Sequence, residues 1–352
     1  GGSQISAGLL VFSSTAAVPT TGQITVATGG GLSVSGAYST ATDWIASGRI
    51  SGGSTGALVL TGNSSEAIDF TSVPGLSIGA ATNVLYSGVI TPGSSGYQLG
   101  GGGGVLTVSS QLTGYAGLTV RNPGTVILTG TNDYFFGTTL SSGTLQIGAG
   151  GTSGSIIGDV TNNAALVINR SDAFSLGGTI SGTGSFSQVG AGVTSLGDMN
   201  FYSGPTTISG GVLSVGTLAS GGGFSSIGAS SSAAANLVLG GGSLRYTGGT
   251  VSIDRSFTLA DATTSTIDVS NAPTTLTISG SSAASSGGLV KAGAGTLVFS
   301  GTTAFTGTTR VNAGVLQLAN SSALGGSVYD TNSPGSLSLG SLTSVTFGGL
   351  TG

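Results

Sequence analysis

The sequence predicts an all-β protein in which one chain coils into a parallel β-helix. Three observations predict it. Charge is nearly absent, with 7 Lys and Arg and 11 Asp and Glu in 352 residues, and Gly accounts for 69; ordinary domains are roughly 25% charged and about 7% Gly. Apolar and polar residues alternate with period two between short runs of Gly, Asn, Asp and Ser, the pattern of strands and turns. A 19-residue spacing between corresponding apolar strands recurs three times, as a coil of fixed circumference requires.

The same counts exclude whole classes of function. Without His or Cys the chain has no Ser-His-Asp triad, no thiol nucleophile, no disulfide framework and no zinc site of the usual kind. Six Arg and Lys291, with a net charge of −4, do not neutralise a phosphate backbone, so no nucleic-acid partner is expected. No stretch approaches 18 uninterrupted apolar residues. The opening GGSQISAGLL lacks the basic start and apolar run of a signal peptide. Disorder is also excluded: disordered chains are charged and poorly hydrophobic, whereas this one has a positive mean hydropathy.

In chain order, Ile5 to Phe12 match the second half of a repeat, as in VNAGVLQL at 311–318. STATDWIASGRI holds the one helix-like segment, a short helix near residues 40–47 with Asp43 in its first turn. Three repeats follow, at 124–148, 192–216 and 295–319: GTVILTGTNDYFFGTTLSSGTLQIG, GVTSLGDMNFYSGPTTISGGVLSVG and GTLVFSGTTAFTGTTRVNAGVLQLA. Each reads as an apolar strand, a turn, an aromatic (Tyr134, Tyr202, Phe305), a glycine (Gly137, Gly204, Gly307), a Thr-rich strand and a second apolar strand carrying Leu145, Leu213 or Leu316. Val126 to Leu145, Thr194 to Leu213 and Leu297 to Leu316 are each 19 residues apart. Rungs of about 19 to 22 residues stacked at roughly 4.8 Å give about 16 to 18 turns over residues 1–352, read as a single continuous solenoid. Inward positions take Leu, Val, Ile and Phe, corners take Gly, and outward positions take Ser and Thr. The chain starts mid-repeat and stops at SVTFGGLTG without a polar cap, so it is expected to be a piece or subunit of a longer array, associating end to end with neighbouring repeats or with copies of itself.

These repeats resemble the autotransporter-associated β-strand repeat, also called the passenger-associated transport repeat, whose pattern is roughly GxGTLxLxGxNxYxGxTxxxxGxLxxG. SSIGASSSAAANLVLGGGSLRYTGG at 225–249 and LYSGVITPGSSGYQLGGGGGVLTV at 85–108 resemble segments that accompany it. The resemblance implies a right-handed parallel β-helix, exported across a Gram-negative envelope, displayed extracellularly, and carrying no catalytic residues or cofactor. Two positions depart from the pattern: Thr303 stands where Asn132 and Asn200 stand in the other copies, and Thr194 stands where the family prefers Leu. No run of alternating ten-residue strands marks a translocator barrel, so membrane attachment is expected only through a translocator outside these residues.

Each candidate site also has a plain structural role. Asp43, Glu66 and Asp69 form the densest acidic group, and a polysaccharide-cleaving enzyme would need two such carboxylates facing a groove; helix start and turn roles are the simpler reading. Asp254, Asp261 and Asp268 recur every seven residues without a calcium-solenoid pattern and read as surface turns, with an ion pair between Asp254 and Arg255. Asp133 and Asp198 read as turn formers. The glycines at 100–104 and the run at 292–296 lack the Lys-Ser/Thr of a phosphate loop. Tyr134, Phe135, Phe136, Phe201 and Tyr202 are assigned to the core rather than to a sugar-binding face. Trp44 either covers a rung edge or marks a partner contact. The function expected is a non-catalytic structural protein of an extracellular fibre, stalk or surface layer. The alternative is a surface adhesin or a domain binding surface glycans.

Overall fold

A computed structural model describes residues 2–352. The chain forms two compact units, one ending at Val167 and the other running from Ile168 to Gly352. Both are parallel β-solenoids, with about 17 turns between them. Among the described residues there is a single α-helix, Ala41–Ala46, at the place the sequence indicated.

In the first unit the strands Gly8–Leu10, Gly30–Val34, Ala57–Leu60, Ser77–Ala80, Tyr97–Leu99, Leu118–Val120, Thr138–Leu140 and Val160–Asn162 stack in that order. A second stack contains Asn83–Tyr86, Val105–Val108, Thr125–Leu128 and Thr144–Ile147. In the second unit nine strands, from Ala173–Leu176 to Phe347–Thr351, form one face. Shorter stacks form the others, among them Val251–Ile253, Thr275–Ile278, Thr296–Phe299, Val315–Leu318 and Ser336–Ser338. The 19-residue spacing has a direct structural meaning. Val126 pairs with Leu145, Thr194 with Leu213, and Leu297 with Leu316, each as cross-strand partners on adjacent rungs.

Rungs vary more than the expected 19 to 22 residues. Gly31 pairs with Ala57, 26 positions on, because the intervening chain makes room for the helix. Val212 pairs with Ser243, 31 positions on, because residues 217–236 make a longer turn, two loops on either side of residues 225–229, which return to the coil against Asn200 and Tyr202. A solenoid tolerates such excursions, since only the strands need matching lengths.

In each unit the core is built from the inward side chains of successive rungs. Leu145, Leu213 and Leu316 are fully buried, as are Tyr134, Tyr202 and Phe305. Each such side chain contributes about 1.5–3 kcal/mol by leaving water. The alternate residues are partly exposed, which is the period-two pattern in structural form. Two arginines on stacked faces sit opposite partners of the other sign. Arg245 is in register with Asp268 and bonds it at 3.3 Å, and Arg310 pairs with Asp330 one rung on.

Of the five glycines at 100–104, all but Gly103 pack closely against neighbouring chain. Gly100 to Gly103 all have positive φ, and a Cβ on Gly101 would lie 2.4 Å from the Ala57 Cβ. Trp44 is buried against Tyr38 and Phe12, with ring centroids 4.7 and 5.8 Å away. It covers the edge of a rung, and the partner-contact alternative is not supported.

Candidate functional site

The repeat corner is built from a short polar code. In the first copy Asn132 Oδ1 accepts from the Leu112 N–H at 2.8 Å, while its Nδ2 donates to the Ser155 carbonyl at 2.9 Å and the Gly130 carbonyl at 3.2 Å. In the second copy Asn200 repeats this with Ile180 N–H (2.8 Å), Ser226 O (2.9 Å) and Gly197 O (3.0 Å). Each Asn therefore pins three successive rungs together. Asp133, between Asn132 and Tyr134, donates its N–H to the Leu112 carbonyl at 3.0 Å. Two residues after each Asn, Tyr134 and Tyr202 turn inward and bond Thr138 and Thr206 at 2.7 Å. Burial pushes both phenols well above their ordinary pKa.

Departures from the pattern are matched by exchanges of partner. In the third copy Phe305 has no hydroxyl, and Thr309, which corresponds to Thr138 and Thr206, bonds Ser327 at 2.7 Å instead. Thr303, in the Asn position, donates to the Ala323 carbonyl. Thr194 bonds the buried Gln188 Oε1 at 2.6 Å, and Gln188 Nε2 donates to the Gly190 carbonyl at 2.7 Å.

Two buried cations were not anticipated from the sequence. Lys291 points inward and its Nζ donates to the carbonyls of Ala292, Gly293 and Ala313 at 2.6, 2.8 and 3.1 Å. Burial lowers its pKa to about 8, partly offset by Asp268. Arg255 is buried beneath the 217–236 excursion and donates to Ala219 O, Ser230 Oγ, Gly228 O and Gly223 O at 2.7–3.3 Å. Asp254 accepts from the Gly221 N–H at 2.7 Å. The two residues hold the excursion separately, and the expected Asp254–Arg255 ion pair is replaced by these contacts. The sequence signal for Lys291 was its inward phase in GLVKAGAG.

The acidic residues are engaged by the main chain. Glu66 spans the start of the helix, accepting from Ala41 N–H at 3.1 Å and Thr42 N–H at 2.9 Å, while Thr40 Oγ1 caps Asp43 N–H at 3.0 Å. Asp69 accepts from Thr71 N–H, and Asp261 from Ser286 N–H, and these bonds lower both pKa values. Among the described residues no three His, Cys, Asp or Glu side chains gather as metal ligands.

The glycines of the corner are not equivalent. A Cβ on Gly204 or Gly307 would lie 2.3 Å from the carbonyl of Gly184 or Gly287 on the rung before. In the first copy that place belongs to Phe136, and the glycine moves one residue on, to Gly137 with φ of 70°. The consequence is a corner that turns its rings outward. Phe135 and Phe136 are 64% and 66% exposed, and Tyr115, one rung before, is 87% exposed. Their centroids lie 5.5–6.5 Å apart. Tyr134 and Tyr202 thus belong to the core as expected, but Phe135, Phe136 and Phe201 do not. Phe201 contacts Phe224 at 4.5 Å, with both partly exposed. Beside the first-copy rings runs an open cleft of about 430 Å³, lined by residues 92–96, Tyr115 to Gly117 and Phe136. The signal for this corner was an aromatic doublet where the other copies carry Ser203-Gly204 and Thr306-Gly307.

Comparison with known proteins matches the same coils. The passenger-associated-transport-repeat model fits residues 118–147, 186–215 and 289–318, starting one strand earlier than the repeats marked by sequence. Over 295 residues the chain is 38% identical to the Adhesin BmaC autotransporter of Brucella suis biovar 1 (strain 1330), an alignment covering 72% of this chain. The chain spans 8% of the length of that relative. No solved structure matches it.

Proposed function

From the premise that this chain is a passenger-associated-transport-repeat protein with a β-solenoid fold, we propose that it is a segment of the surface-displayed passenger of an autotransporter adhesin and does not act as an enzyme. The observation that carries this reading is the extent of the likeness: 38% identity over 295 residues reaches well beyond the three repeats into the coils between them. The geometry agrees, since Glu66, Asp69, Asp254 and Asp261 each accept main-chain N–H groups, and Glu66 and Asp69 line separate clefts.

Within such a passenger these coils have a mechanical part. A nearly uncharged, Cys-free chain is exported unfolded without disulfide traps, and each rung then templates the next outside the membrane, drawing the chain outward. The result is a stalk on the surface of a Gram-negative cell. Its ends meet neighbouring repeats of the same chain or a second copy, and its flanks carry the adhesive surface. A free-standing fibre is the weaker reading, because the relative at 38% identity is named an adhesin.

The test is to fuse residues 1–352 to an autotransporter translocator in a non-adherent bacterial host. Protease should remove the chain from intact cells, and displaying cells should adhere to epithelial monolayers at least several-fold above the translocator alone. Retention of the chain inside the cell, or surface display without any gain in adherence, would overturn the proposal.

A further inference from the structure

We propose that the outward corner formed by Tyr115, Phe135 and Phe136 is a binding site for neutral polysaccharide, an inference that rests on the adhesin reading and names its ligand class. Tyr115, Phe135 and Phe136 are too exposed to be packing residues, and at tilts of 50–84° to one another they leave ring faces open to solvent. Rings exposed this far form a platform rather than a closed cage. Apolar C–H faces of a pyranose can lie on such a platform, as flat apolar bodies do on aromatic faces.

The adjoining cleft supplies the polar half of the recognition. It has the size of a small-ligand site and opens beside Phe136. Ser94 and Ser95 line it, are exposed, and their hydroxyls make no hydrogen bond among the described residues, leaving two groups that both donate and accept. No charged side chain lines the cleft. That composition fits a ligand made of neutral hydroxyls and gives no counter-charge to a phosphate, sulfate or carboxylate. Peptide capture by strand addition is disfavoured here, because the N–H groups of Phe135 and Phe136 are already bonded to the Gly114 and Ala116 carbonyls at 3.0 and 2.9 Å.

The repeat comparison supports the same conclusion independently. At this corner the second and third copies use Ser-Gly and Thr-Gly, and their glycines are required by a close backbone approach. The first copy gives up that arrangement, shifts its glycine to 137, and places two rings in water. The core gains nothing, so the departure is explained by contact with something outside the coil.

The experiment is affinity electrophoresis and calorimetry of the 352-residue chain against mannan, xylan, laminarin and galactomannan, with polygalacturonate and heparin as anionic comparators. At least one neutral polymer should retard the protein. Phe136→Ala and Tyr115→Ala should each weaken binding at least 10-fold, and a Ser94→Ala/Ser95→Ala variant by a few-fold. Phe201→Ala in the second unit should bind like the parent. Unchanged circular dichroism and melting of each variant would show that binding alone was lost. No retardation by any neutral polymer, retardation only by the anionic ones, or full binding by Phe136→Ala would overturn the inference. So would ring-dependent binding to protein ligands alone. If the chain makes displaying cells adhere yet binds no neutral polymer, the polysaccharide inference fails and the adhesin reading stands.

Discussion

Asn200 offers the sharpest test of what keeps successive rungs in register. Its side chain accepts from Ile180 N–H and donates to Ser226 O and Gly197 O. Ile180 and Ser226 are fully buried, so Asn200→Ala leaves two buried main-chain groups without partners. Each such group costs about 1–3 kcal/mol, and allowing for partial relaxation the loss should be about 3–4 kcal/mol. Because a solenoid distributes stability rung by rung, the effect should centre on the coils at 180, 200 and 226. Urea denaturation reads the total, and hydrogen exchange reads the place. A local loss of about 3 kcal/mol would speed exchange at the Ile180 amide by ~100-fold or more.

Two variants sharpen the argument. Asn200→Thr imitates the third copy, where the Thr303 hydroxyl reaches a single carbonyl, and should recover a minority of the loss. Asn200→Asp keeps the acceptor for Ile180 but turns a buried carboxylate toward two carbonyls. It should be worse than Ala at neutral pH and improve on acidification, as protonation restores one donor. A loss below about 1 kcal/mol in Asn200→Ala, or unchanged exchange at Ile180, would refute the assignment of this Asn as the rung staple.

Three further outcomes are expected. The Lys291 pKa near 8 lies below its ordinary value, so between about pH 8 and 10 the unfolded chain binds more protons, and stability should rise with pH by about 1–2 kcal/mol after allowance for screening. Above pH 10 the raised phenols of Tyr134 and Tyr202 act in the opposite sense, since the unfolded state alone loses protons there; Lys291→Met should abolish the rise and keep the fall, read by urea midpoints across pH. Arg255→Met should release the 217–236 excursion, seen as faster chymotryptic cleavage at the exposed Phe224 with little change in urea stability elsewhere. Glu66→Gln removes the charge that accepts from Ala41 and Thr42 N–H and should loosen the helix by about 1 kcal/mol; the sole tryptophan, Trp44, sits in that helix and its fluorescence should report the change ahead of global unfolding.

What the sequence made legible depended on how many residues carried each signal. The coil itself was readable because spacing, alternation and glycine corners repeat, and the 19-residue pairs proved to be register partners on adjacent rungs. Rung length was readable only where the chain repeats. The 31-residue turn after Val212 has no internal copy to compare with, and its anchor is the buried Arg255, a residue type whose ordinary place is the surface. The aromatic doublet misled for a similar reason. Alignment placed Tyr134 and Tyr202 inside the coil correctly, and the neighbours were carried in with them, although Phe135 and Phe136 both face solvent where the corner turns. The misplaced glycine at 137 was the available clue.

Buried and exposed departures from the repeat obey different rules in this chain, and the difference locates where binding can arise. Inside the coil the polar departures find partners one contact away. Thr194 is met by Gln188, and Thr309, facing a phenylalanine, is met by Ser327. The pairing is favoured, because an unpaired buried hydroxyl or amide costs about 1–3 kcal/mol. At the outward corner no such partner is needed, since water satisfies whatever is placed there. Phe135 and Phe136 accordingly appear without compensation beyond a shifted glycine. A repeat array can therefore keep its folding code fixed within the column and vary its flanks copy by copy, so that a ligand site is most economically built at the corner position after the core aromatic.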